Sequence, residues 1–129
     1  MASNDMPESS FEQRARKLTT PEEVEAFLAE QADGVVFKAG GCRRTDDALE
    51  ALRPLLDPRH DIPVALVRVI DARAASRRVA ELTGVRHESP QVILVRERQA
   101  VLALDNWRIE PEALAKALQQ HFGAPPKAR

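Results

Sequence analysis

Apolar positions recur along the chain with two different periods, and the changes of period fall at recognisable punctuation. Val24, Phe27 and Leu28 lie three and four apart behind Thr20-Pro21-Glu22-Glu23. That spacing predicts a helix with those residues on its buried face. Thr20 can cap it, Pro21 suits a first helical position whose N–H would be unpaired anyway, and Glu23 can bond back to the cap. Gly34 is expected to end it. Val35, Val36 and Phe37 form a short continuous apolar run, which predicts a strand, and the run stops at Lys38-Ala39-Gly40-Gly41. The paired glycines permit backbone angles that other residues avoid. Thr45, Leu49, Leu52 and Leu56 then return at helical spacing, predicting a helix from about Cys42 to Asp57, kinked where Pro54 lacks a backbone donor.

Pro63 to Ile70 is nearly unbroken in apolar residues, as expected of a strand covered on both faces. Asp71 is placed to cap the next helix, whose inner face is Ala72, Ala75, Val79 and Leu82, whose outer face carries Arg73, Arg77 and Arg78, and which Gly84 closes. Gln91 to Val95 and Ala100 to Leu104 read as an antiparallel hairpin across the polar link Arg96 to Gln99. A last helix, Glu110 to Phe122, starts at Pro111, buries Leu114, Leu118 and Phe122, and stops at Gly123. The strand-helix-strand unit requires parallel neighbours and the hairpin adds antiparallel ones. The expected architecture is therefore α/β and thioredoxin-like: a mixed four-stranded sheet with helices on both faces. One domain is expected over residues 19–123. Residues 1–18 would form a mobile N-terminal tail with a short helical turn through Phe11 to Lys17, and residues 124–129 a C-terminal tail.

Bulk properties narrow the class. The 129 residues suffice for one core, built mainly from Val, Leu, Ile and Ala because there are only four Phe, one Trp and no Tyr. A net charge of −1 gives no broad field to attract nucleic acid or an anionic membrane, so neither is expected as a partner. No apolar run approaches the roughly 18 residues of a membrane span, and Met1 to Glu12 lacks the features of an export signal, which predicts a cytoplasmic location. His60, His87 and His121 are scattered and there is one cysteine, so no metal site is expected.

That single cysteine, Cys42, lies where the first strand hands over to a helix. A sulfur there meets unpaired N–H groups and the positive end of the helix dipole, which favour thiolate. Arg43, Arg44 and Lys38 add positive charge, and Thr45 offers a hydroxyl. The bland alternative is a small buried apolar residue, the usual fate of a lone intracellular cysteine. The location favours a reactive thiol.

A second constellation, GVRHESPQ at Gly84 to Gln91, runs directly into a strand. A cis Ser89–Pro90 bond would turn the chain sharply and free Ser89 backbone groups for an extended substrate, whereas base frequencies by themselves favour a trans bond. His87 and Glu88 either orient a bound thiol or hold the loop in shape, and Trp107 reads as a packing residue that shields the site from solvent.

VVFKAGGCRRTDDAL, DARAASRRVAELTGVRHESPQVILV and NWRIEPEAL together resemble the YtxJ family of bacillithiol-system proteins, the monothiol bacilliredoxins, over roughly Thr20 to Phe122. The resemblance implies a thioredoxin-like fold, a cis proline at Pro90 and a redox-active Cys42. It also implies work on mixed disulfides between proteins and a low-molecular-weight thiol such as bacillithiol, with S-thiolated client proteins as partners, the small thiol as co-substrate and no bound cofactor. His87, Glu88, Ser89 and Pro90 match the family's HESPQ and would position substrate. The family usually has FKHSTRCPIS around the cysteine, whereas this chain has FKAGGCRRT, one residue shorter before the thiol. Two rivals follow: a non-catalytic thioredoxin-like adaptor or redox sensor, and a carrier of an iron–sulfur cluster shared across a dimer.

Overall fold

The computed structural model describes residues 10–125. Its sheet has the order β1-β3-β2-β4-β5, built from β1 (Arg16–Lys17), β2 (Gly34–Ala39), β3 (Val64–Arg68), β4 (Gln91–Arg96) and β5 (Gln99–Asp105). β3 is parallel to β1 and β2, while β4 is antiparallel to β2 and β5. The helices are α1 (Ser10–Arg14), α2 (Pro21–Glu30), α3 (Arg43–Leu56), α4 (Arg73–Thr83) and α5 (Pro111–Phe122).

Alternation along β2 divides the core. Val35 and Phe37 pack with Phe11, Leu52, Leu56, Leu114 and Leu118 from α1, α3 and α5, while Val36 packs with Val24, Phe27, Ala75 and Val79 from α2 and α4. Gly34 through Lys38 are all buried, which is why this central strand reads as an unbroken apolar run up to Phe37.

The sheet has five strands, one more than the sequence pattern predicts, and Ser10 to Leu18 belong to the domain instead of forming a tail. Phe11 and Leu18 are each 1% exposed. The Phe11 N–H donates to Asp57 Oδ1 at 2.9 Å, and the Arg14 guanidinium donates to the Leu56 and Arg59 carbonyls at 2.7 Å and to that of Ile62 at 3.1 Å. A two-residue strand is too short to show an alternation, and Arg14 reads as surface until the α3 end is placed beside it. The parts of both tail assignments at residues 1–9 and 126–129 lie outside the described residues.

Local signals were otherwise legible, with small displacements. Thr20 and Glu23 close the reciprocal capping box of α2. The helix nevertheless stops at its cap Gln31, and Gly34 opens β2, where an added Cβ would lie 2.9 Å from the Pro63 carbonyl oxygen. Asp71 does not cap α4: its carboxylate takes Arg68 Nε at 2.9 Å, and Ala72 stands at the cap without a side-chain bond. On α4 the buried face includes Ser76 at 3% exposure, whereas Leu82 is 42% exposed. Gly84, at φ 73°, ends the helix in the left-handed region as expected. α3 continues through Pro54 to Leu56.

Candidate functional site

Strand directions bring the C-terminal ends of β2, β3 and β5 and the N-terminal end of β4 to one end of the sheet. The β2 end carries Cys42, the N-cap residue of α3 with extended backbone, and its side chain is exposed. The thiol is held below its ordinary pKa chiefly by the backbone N–H groups of Arg44 and Thr45, which outweigh desolvation, with lesser help from the Arg44 charge and the Thr45 hydroxyl. Those N–H groups do not close a side-chain cap on Sγ. They act as the dipoles of an open helix start, which a thiolate can approach freely. Thr45, 7% exposed, also accepts the Gly40 N–H at 2.9 Å on Oγ1, fixing the loop that delivers Cys42.

The β4 end carries the second constellation. The Ser89–Pro90 bond is cis and Pro90 is buried. A Cβ added to Gly40 would lie 2.8 Å from Ser89 Oγ, so the two loops touch two residues from the cysteine and one from the proline. Glycine at position 40 is what permits that approach. Asn106, with φ 53°, ties the elements together. Its N–H donates to the Pro90 carbonyl at 2.9 Å, its Nδ2 to Glu88 Oε1 at 3.3 Å, and its Oδ1 accepts from Arg44 at 3.2 Å.

A family model described as monothiol bacilliredoxin BrxC matches residues 16–114. The chain belongs to the monothiol bacilliredoxin family. Similar solved structures agree with that placement. A thioredoxin-fold protein described as a candidate oxidoreductase is 27% identical, with TM-score 0.74, over 85% of this chain and 98% of that one. Mitochondrial thioredoxin 3 from Saccharomyces cerevisiae is 18% identical, with TM-score 0.69, over 87% of this chain and 99% of that one. Thioredoxin f2 from Chlamydomonas reinhardtii is 19% identical, with TM-score 0.68, over 88% and 99%. The last two show the fold alone. The family match and the oxidoreductase neighbour support a thiol-disulfide redox role, and one cysteine fits a monothiol protein.

Within this bacilliredoxin frame the predicted site residues divide. Arg44 and Thr45 act on the thiol, and Arg43, also exposed, follows it on the first turn of α3. Lys38 turns to the opposite face of the sheet, the one covered by α2 and α4. It is 0% exposed, and its Nζ lies 3.1 Å from His87 Nδ1, which Ser76 Oγ also meets at 3.2 Å. Burial lowers the Lys38 pKa to about 8, with Asp105 opposing. Lys38, Gln91 and Asp105 stand in one cross-strand row, and Gln91 Nε2 donates to Asp105 at 2.8 Å and to the Arg86 carbonyl at 3.0 Å. This row secures the segment that leads to Pro90.

Trp107 corrects an expectation. It is 74% exposed and shields nothing, because Asn106 turns the chain outward into a short 3-10 turn. Ile70, at the β3 end, is 65% exposed. Sequence reasoning missed Ser76, Gln91, Asp105 and Asn106. The one available signal was an asparagine directly after a strand, a residue type that tolerates positive φ. Among the described residues no group of three or more His, Cys, Asp or Glu gathers to hold a metal, and no helix is long and apolar enough to cross a membrane.

Proposed function

We propose that the protein is a monothiol thiol-disulfide oxidoreductase, an enzyme that reduces mixed disulfides between client proteins and a low-molecular-weight thiol of the bacillithiol kind. The observation that carries this reading is an exposed Cys42 whose thiolate is favoured, on a loop that touches the Ser89–Pro90 turn. The thiolate attacks the small-thiol sulfur of the mixed disulfide. A bond forms between Cys42 Sγ and that sulfur, the original S–S bond breaks, and the client leaves as thiolate. The chain has no second cysteine. A second molecule of small thiol, as thiolate, must therefore attack the small-thiol sulfur of the Cys42 adduct. The symmetrical small-thiol disulfide forms and leaves as the oxidised product, and the electron pair of the broken S–S bond stays on Cys42 Sγ, restoring its thiolate. Arg44 and Thr45 stabilise the thiolate, with Arg43 adding charge, and His87, Glu88, Ser89 and Pro90 frame the approach of the disulfide.

The test is intact-mass analysis after exposure to bacillithiol disulfide and to glutathione disulfide. The wild-type chain gains one small-thiol adduct and Cys42→Ser gains none while keeping its fold by circular dichroism. Equal labelling of both proteins refutes the mechanism. Alkylation rate against pH supplies a second check, since a midpoint at the free-cysteine value of about 8.5 favours the non-catalytic adaptor instead.

A further inference from the structure

The three arginines on the outer side of α4 are not equivalent. Arg78 is neutralised by Glu25 at 2.9 Å and Glu81 at 3.0 Å. Arg73 and Arg77 are exposed and form no ion pair among the described residues. With Val69, Ser76, Ala80 and His87 they line a groove of about 420 Å³ that contains no carboxylate.

His87 gives one wall of this groove its polarity. Its Nδ1 faces the buried Lys38 ammonium and Ser76 Oγ. An ammonium has protons to give and no lone pair to receive them, so Nδ1 accepts and the ring proton sits on Nε2. The groove thus combines two unneutralised guanidinium groups, an imidazole with its free donor, and a buried positive charge behind the imidazole. The groove also abuts the thiol loop. The Val69 N–H donates to the Ala39 carbonyl at 2.9 Å, and His87 lies two residues before Ser89, which touches Gly40. Another groove, beside Gly40, Gly41 and Thr45, is lined by Lys17 and Arg68 but also by Glu12 and Asp46, so its basic residues are matched by carboxylates, unlike those of the α4 groove.

We propose that the α4 groove binds a carboxylate of the small thiol exchanged at Cys42, so that the site selects small thiols bearing an acidic arm. The inference rests on the oxidoreductase reading above. Guanidinium pairs suit carboxylates because their N–H groups match both oxygens, and an imidazole donor adds a third contact.

The experiment compares Cys42 thiolation by 3,3′-dithiodipropionate and by 2-hydroxyethyl disulfide at pH 7, read by intact mass. The rate ratio is normalised to that given by 2-mercaptoethanol. The wild-type chain should favour the dicarboxylate by about tenfold, the worth of one or two charge-assisted contacts at a partly exposed site. Arg73→Gln/Arg77→Gln should bring the ratio to the 2-mercaptoethanol value, whereas Arg78→Gln should keep the preference. S-methylglutathione, which cannot exchange, should shift the amide resonances of Arg73, Arg77 and His87. A wild-type ratio equal to that of 2-mercaptoethanol, or a preference that survives the double substitution, overturns the groove assignment and leaves the thiol chemistry standing. Failure of both disulfides to thiolate Cys42 overturns the oxidoreductase reading and this proposal with it.

Discussion

Replacing Lys38 by methionine should make the protein more stable at neutral pH and change its stability little in alkali. The ammonium is fully buried, and burial lowers its pKa from an ordinary 10.5 to about 8. The unfolded chain therefore binds more protons than the folded one between those values. The cost of burying the charge is fully present below about pH 8 and disappears as the pH rises towards 10.5. At about 1.4 kcal/mol per pKa unit, the cost is about 3 kcal/mol at pH 7 and less than half of that at pH 9.5. Methionine also forfeits the bond to His87, worth about 1 kcal/mol. The net expectation for Lys38→Met is a gain of about 2 kcal/mol at pH 7 and a few tenths at pH 9.5. Urea denaturation of both proteins at the two pH values measures this, and other groups that titrate in the range cancel in the comparison. An equal difference at both pH values, or a loss of stability at pH 7, would show that the lysine is neutral or well compensated in the fold. The substitution should also release the His87 tautomer, visible as a change in its ring nitrogen shifts.

Phe11→Ala should destabilise by about 3 kcal/mol in urea, as for any fully buried aromatic ring, and a loss below about 0.5 kcal/mol would return Ser10–Leu18 to the status of a tail. Thr45→Val removes the hydroxyl that accepts the Gly40 N–H and helps stabilise the thiolate, so the pH midpoint of iodoacetamide alkylation at Cys42 should move upward; an unmoved midpoint refutes that role. Arg59, 4% exposed, pairs with Asp61 and donates to the Phe122 and Gly123 carbonyls at the end of α5. Arg59→Met should cost about 2 kcal/mol by differential scanning calorimetry, because the replacement leaves those acceptors without a donor.

How far these features could be read in advance depended on how local their causes are. The capping box at Thr20–Glu23, the left-handed stop at Gly84 and the apolar run Val35–Phe37 each rest on residues within a turn or two of one another. Such signals survive in one dimension. The Glu97–Arg98 turn shows the opposite. Both residues adopt positive φ, at 52° and 65°, without the glycine or asparagine that would announce it, and the turn is held by Ala29 in the last turn of α2 and by Ala32 and Asp33 in the loop after it. Tertiary bonds there replace turn chemistry.

By itself, the sequence determined the alternation of helices and strands, the position of Cys42 at a helix start, and the kinship carried by GVRHESPQ, because periodicity, caps and motifs act over a few residues. Only the stacking of layers decided that Arg16–Lys17 would become a fifth strand and that Ser89 would meet Gly40. The same stacking turned Lys38 away from the thiol and towards a histidine 49 residues along the chain. Each of these outcomes joins groups that no local backbone preference relates. Which face of the sheet a side chain reaches, and what already stands there, is settled by packing across the whole domain.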